Sequence, residues 1–266
     1  MGSTAEQIAA AKPLLFDKED PERTGRADSE SPEHIVHITR PYYLSTTEVT
    51  QHQFLQVTGN NPSFWTDTKL GDRSQTPVER VSWINCVEFC NMLSTGEQLE
   101  WAYRITPEQV TQTGVGGYRL PTEAEWEFAC RAGTTTLFHT GNDPATLTDA
   151  AWIFEENGRY PKPVGSKQPN AFGLSDMHEN VSEWVHDAWQ PDFYQLSRDA
   201  DAVDPRCDTG IDERRIVRGG NYVFSWAEAR SACREAYWAK SDRYWVNGFR
   251  VALSVEAVAA LRSVGR

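Results

Sequence analysis

Clusters of positive charge are missing from this sequence. Its 266 residues carry 26 lysines and arginines against 38 aspartates and glutamates, a formal net charge of −12 at pH 7. No block of Lys or Arg interrupts that acidity, so neither nucleic acid nor an anionic membrane surface is an expected partner. Long hydrophobic runs are missing too. Apolar stretches last only a few residues, which excludes a transmembrane helix. The amino-terminal MGSTAEQIAAAKPLLFDKEDPERTG lacks the continuous apolar centre of a signal peptide. As it stands the chain reads as cytoplasmic, its compartment otherwise unknown. Cysteine is scarce: the 5 present (Cys86, Cys90, Cys130, Cys207 and Cys233) are odd in number and widely spread, which is no disulfide framework. Cys86 and Cys90 stand one helical turn apart, a poor geometry for a disulfide. Buried thiols packing as small apolar groups are the expectation.

What is present falls into two unlike halves. Residues 4–32 are polar and show no sustained apolar period, so a loop or loosely ordered arm is expected there. HIVHITRPYYL alternates like a strand, placing His34 and His37 on opposite faces as solvated or edge histidines. VTQHQFLQVTG has the marks of a helix: Thr50 and Gln53 make a capping box, Val49 and Phe54 a staple, and Gly59 a stop. SWINCVEFCNML follows with Ser82 as cap and Cys86, Phe89, Cys90 and Leu93 along one face. In PTEAEWEFACRAG, Thr122 and Glu125 cap a third helix, and Glu123, Glu125 and Glu127 suit the positive end of its dipole. Beyond Gly133 the helical period stops. Gly, Pro, Asn, Asp and Trp dominate, with brief apolar pieces such as WIF, RIVRGG and GFRVALS. Short helices followed by a loop-rich half around small sheets predict an α+β domain over 1–266 rather than an alternating α/β fold.

Five blocks occur in order: RPYYLSTTEVTQHQF, PVERVSWINCVEFCNML, YRLPTEAEWEFACRAG, PNAFGLSDMHENVSEW, and a final RIVRGGNY, RSACR and GFRVAL. Together they resemble the sulfatase-modifying-factor or formylglycine-generating-enzyme family over nearly the whole chain. The resemblance implies a variant of the C-type lectin fold, with a few short helices on small twisted sheets. It also implies a test for activity. The family's enzymes oxidise a substrate cysteine with a copper ion held by two cysteines, a soft donor pair suited to Cu(I). In this chain Asn221 stands where the serine of the RGGS block would be, and Phe224 and Ala229 stand at the two cysteine positions. Copper and formylglycine chemistry are therefore not expected, and Cys233, at a different offset, cannot replace a pair of thiolates. The family's sulfoxide-forming branch needs an iron site from an additional helical domain. His139, His178 and His186 have no spacing that resembles one. A structural calcium site is implied around Asp176, Asn180 and Glu183, with main-chain oxygens near Glu179 and Val181; alternatively, these side chains hydrogen-bond the loops together.

Two functions stand at this point. The first is a non-catalytic domain binding a protein or peptide through the 221–247 segment, where Asn221, Tyr222, Phe224, Trp226, Tyr237, Trp238, Tyr244 and Trp245 cluster among polar residues. Tyr and Trp give large contact area at low entropic cost and dominate binding hot spots. In relatives that are variable proteins of diversity-generating retroelements, the diversified stretch lies between RGG and GFR, where these rings sit; a sensor domain of a signalling protein fits equally. The second is an oxidoreductase of the same family with a non-standard centre, for which polar groups near His178, Glu179 and His186 leave room.

Overall fold

The computed structural model describes residues 1–14, 26–152, 158–240 and 242–264. Helix boundaries follow the caps written in the sequence. Helix α1, Ala5–Ala11, starts at Thr4, whose side chain accepts from the Gln7 amide in a full capping box. Helix α2, Gln51–Thr58, starts at Thr50 with Gln53 completing the box and stops at left-handed Gly59. Helix α3 is Trp83–Gly96, capped by Ser82, and α4 is Glu123–Arg131, capped by Thr122 with Glu125. Two further helices, α5 (Phe193–Asp199) and α6 (Val255–Val264), lie beyond Gly133, where no helical period is expected; α5 buries only Tyr194 and Ser197, too little to write an apolar stripe. Val49 and Phe54 share one core cluster, as a staple requires.

The strands are short. β1 (Tyr42–Leu44) pairs antiparallel with β8 (Ala252–Ser254), and β2 (Tyr103–Ile105) with β3 (Val110–Gln112). The main sheet contains β4 (Ser182–Ala188), β5 (Arg214–Arg218), β6 (Glu235–Trp238) and β7 (Asn247–Phe249), in the order β6-β5-β4-β7. β4 is buried along its whole length, antiparallel to β5 and parallel to β7. Its Trp184 enters a core with Trp83, Phe89 and Phe249, in which Phe54 stacks on Phe89 at 5.3 Å. The α+β expectation holds.

Three further expectations need correction. The 4–32 arm is ordered wherever it is described: beyond α1, the Met1 amino group donates to the His34 carbonyl at 2.8 Å and the Gly2 amide to Glu127 at 2.8 Å. Glu30, fully buried, takes both ends of the Arg230 guanidinium at 2.5 and 2.8 Å. Buried Ile8 and Ala27 also pack with Ala227 against Trp226, so polar contacts and a small apolar cluster together fasten this arm; residues 15–25 lie outside the described residues. HIVHITRPYYL is a strand only at Tyr42–Leu44, with an isolated bridge at His37. His34 is buried, its ring against Tyr194 at 5.0 Å. Last, Glu123 and Glu127 do more than complement a dipole. Glu123 accepts from Arg234 at 2.7 and 2.9 Å, and Glu127 from Arg218 at 2.6 Å, all with side chains shut off from water. The strand piece WIF falls mostly on residues outside the description.

A solvent-facing aromatic cluster and the buried groups beneath it

The turn after β5 decides what the aromatic segment exposes. Gly219 and Gly220 adopt φ of +96° and +71°, and a side chain at Gly220 would meet the Ala229 backbone at 3.0 Å. Only glycine allows the chain to fold back so tightly. The next residues therefore enter the interior. Asn221 is fully buried, donating to Ser182 Oγ at 2.9 Å and accepting from the Val223 amide at 3.1 Å. Tyr222 and Phe224 are also buried. Trp226 is half-buried, its ring 6.1 Å from Phe138 in a small apolar cluster. Tyr237 packs on Trp184 at 6.2 Å and donates to Glu235. Of the eight residues singled out in sequence, the exposed ones are Trp238 (48%), Tyr244 (45%) and Trp245 (46%).

Those rings do not stand alone. Trp245 stacks on Trp65 at 6.3 Å with planes 3° apart, and Phe64, 52% exposed, meets it edge-on at 5.7 Å. Tyr160 lies 6.0 Å from Trp65, with the Lys162 ammonium 3.6 Å above its ring. Buried Tyr222 fastens the cluster from below: its hydroxyl accepts from Trp65 Nε1 at 2.8 Å and donates to the Trp245 carbonyl at 2.8 Å. Glu79, completely buried, accepts from the Trp65 amide at 2.9 Å through Oε1. Burial raises its carboxyl to about 7, against the opposing pull of the Trp65 and Phe64 amides and of Arg80 and Arg73. Sequence reading missed Phe64, Trp65 and Tyr160. The adjacent pair in the polar loop NPSFWTD was a readable signal, because two large rings beyond a helix stop seldom lack a partner.

Reactive groups beside the turn are held in unreactive forms. His178 donates from Nδ1 to the Ala229 carbonyl at 2.7 Å and accepts at Nε2 from the His139 amide at 3.2 Å, which fixes the neutral tautomer. Burial, then the neighbouring His139, lower its pKa to about 3. The Cys130 thiol is 3.8 Å from His178 Nε2, and burial pushes it up to about 12. A neutral thiol beside a neutral imidazole is not an activated nucleophile. All five cysteines are free and buried, and burial pushes Cys233 up strongly.

The expected calcium ligands are each engaged by protein groups. Glu183 is bound to Arg250 at 2.6 and 2.7 Å and to Trp126 Nε1 at 2.8 Å. The Asn180 amide brackets the Lys162 backbone. Asp176 accepts from the Gly165 amide at 2.7 Å and adjoins Glu48, both of whose oxygens are buried with no hydrogen-bond donor among the described residues. Among the described residues, no three His, Cys, Asp or Glu side chains gather around one point. Glu48 and Asp176 together still form a hard-oxygen pair that a cation would satisfy, provided main-chain oxygens complete the shell.

A sulfatase-modifying factor enzyme 1-like domain matches residues 13–255. The chain is 32% identical over 176 residues to the chaperone protein LppX of Paenibacillus barcinonensis, covering 54% of this chain and 61% of that one. It is 28% identical over 183 residues to the formylglycine-generating enzyme of Thermomonospora curvata, covering 64% and 49%. It thus spans between about half and three-fifths of the length of these two relatives. Among solved structures, the Treponema denticola variable protein 1 superimposes with a TM-score of 0.72 at 30% identity, over 80% of this chain and 84% of that one. These likenesses bear out the C-type-lectin-like form of the α+β fold. Among the described residues, no helix is long and apolar enough to cross a membrane.

Proposed function

We propose that this chain, which belongs to the sulfatase-modifying factor enzyme 1-like domain family, uses that scaffold to bind a protein or peptide through the face formed by Phe64, Trp65, Tyr160 and Trp245. The observation that carries this reading is the mutual bracing of half-exposed rings. Trp65 and Trp245 stack on each other and are both tied to buried Tyr222, so they present apolar area without needing to be ordered on binding. A rigid, exposed aromatic patch rimmed by polar groups is the signature of an interaction site. Trp238 stands on the same 221–247 segment, with the Arg214 guanidinium 6.0 Å from its ring.

Catalysis by a copper-bound thiolate pair is disfavoured by Phe224 and Ala229, which are buried apolar side chains at the positions where the family resemblance puts the cysteines. The likeness to a protein named for its variability, and to another named a chaperone, supports recognition as the use of the frame. We also propose a structural calcium ion on Glu48 and Asp176; its chemistry there would be to neutralise and cross-link two buried carboxylates.

A displayed random-peptide library panned on the intact protein tests the binding reading. Enriched peptides should lose about tenfold or more in affinity on Trp245→Ala or Phe64→Ala, a hot-spot-sized effect. No enrichment, or peptides indifferent to both substitutions, would overturn it. Titration with Cu(I) in the presence of a cysteine-containing sulfatase peptide should leave the peptide mass unchanged; oxidation would restore the enzymatic alternative.

A further inference from the structure

Away from that face, a cavity of about 440 Å³ opens between β2–β3, α3 and the start of β5. None of the aromatic-face residues lines it. Its apolar wall consists of Trp83, Ile84, Ile105 and Val110. Its polar wall is Arg215, whose guanidinium carbon sits 4.2 Å from the centre of the Trp83 ring.

Arg215 is half-buried and differs from most of the buried arginines of this protein. Arg119, Arg218, Arg230 and Arg250 each meet a carboxylate at 2.5 to 2.6 Å. Among the described residues, Arg215 makes one hydrogen bond, from Nη1 to the His186 carbonyl at 2.9 Å. Its Nε and Nη2 have no acceptor there. Burial accordingly lowers its pKa, where the paired arginines are raised. A half-buried cation with unused, coplanar donors on a cavity wall is a ready seat for a carboxylate, which it can take with two parallel bonds.

The rim has the opposite sign. Asp208, Asp212 and Glu213 all line the opening. Asp208 is occupied by His186 and Arg206 at 2.8 and 2.9 Å, and Asp212 by Arg214 at 2.9 Å. Glu213 has a looser partner in Lys240 at 3.9 Å, with its side chain 68% exposed. A simple anion would meet these carboxylates as well as Arg215. A molecule carrying its own ammonium group beside the carboxylate turns the same rim into an attraction. The size is right for a small ligand, and the accessible Ile84–Ile105–Val110 wall asks for an apolar body.

We infer that this cavity binds a free α-amino acid with an apolar side chain, its carboxylate on Arg215, its ammonium at the Glu213 side of the rim and its side chain against Ile84, Ile105 and Val110. The site is separate from the aromatic face and does not depend on its ligand.

Isothermal titration of the intact protein with phenylalanine and leucine tests the inference, with phenethylamine and 3-phenylpropanoate as analogues lacking one charge. Saturable amino-acid binding is expected, with each truncated analogue weaker by about tenfold or more, the worth of one charge-assisted contact. Arg215→Lys should weaken phenylalanine and leave phenethylamine unchanged. The exposed Glu213→Gln, which asks nothing of the fold, should weaken phenylalanine and leave 3-phenylpropanoate unchanged. Absence of saturable binding, or an analogue binding as tightly as phenylalanine, would overturn the assignment.

Discussion

Glu79→Gln should make this protein more stable, and only above acidic pH. Glu79 lies completely buried under the loop that carries Phe64 and Trp65. Its Oε1 is used by the Trp65 amide, while Oε2 has no hydrogen-bond donor among the described residues. Burial moves the carboxyl from 4.5 to about 7. The native state therefore keeps a proton across a range where the unfolded chain has released it. Stability drawn from this group is complete below 4.5 and is lost as pH rises to about 7, a swing of about 3 kcal/mol. Glutamine keeps the acceptor for Trp65 and never ionises. Its amide donors would sit where Oε2 is unbonded, which offsets about 1 kcal/mol or more. Urea denaturation of both proteins from pH 4.5 to 8 should give a difference that starts at or below zero and rises with pH. At pH 8 it should favour the variant by about 1–3 kcal/mol. Asp187, also raised to about 7 by burial with Glu123 as the next cause, makes the parent curve steeper but cancels in the difference. A flat difference would refute the reasoning, as would a variant that loses ground as pH rises.

Three other outcomes follow from the same contacts. Tyr222→Phe removes the acceptor of Trp65 Nε1 and the donor to the Trp245 carbonyl; a loss of about 1–3 kcal/mol in chemical denaturation is expected. Glu123→Gln takes the charge from a carboxylate that serves both Arg234 and Arg218 out of reach of water, and should cost about 3–5 kcal/mol by the same assay. Millimolar calcium should raise the melting temperature of the parent by about 2–4 °C and leave Glu48→Gln unmoved, whereas equal shifts in both would remove Glu48 from the proposed ion.

Helices α2, α3 and α4 were legible because their signals are local. Thr50, Ser82 and Thr122 each name a start, and each capping partner lies three residues on. The aromatic face was only half legible, because exposure is not a local property. Tyr222 and Trp245 look alike in sequence, yet the glycine turn sends one inward and the sheet edge turns the other out. Phe64 and Trp65 come from a loop some 180 residues before Trp245, so no window over 221–247 could include them. The arm at 1–14 was harder to read for a third reason: polar and main-chain bonds hold much of it, and the buried residues of its helix are Ile8 and Ala11, too few to set a sustained period.

The family's signature motifs turn out to be the frame rather than the site. The arginines of RGG, RSACR and GFR are Arg218, Arg230, Arg234 and Arg250, and all four are buried. Each is paired with a glutamate from far away in the chain: Glu127, Glu30, Glu123 and Glu183 respectively. Removing one partner of such a pair leaves an uncompensated buried charge, so neither half can change alone. These pairs clamp the chain at both ends of the 221–247 segment and at its middle. Between the clamps, the side chains that reach solvent carry little of the fold: Trp238, Tyr244 and Trp245 are about half exposed. A frame held by internal ion pairs can thus exchange its surface residues at low cost in stability. The same motifs that make membership of the family readable therefore leave the outward chemistry of Tyr244 and Trp245 free to differ, and the function of each member has to be read from that surface.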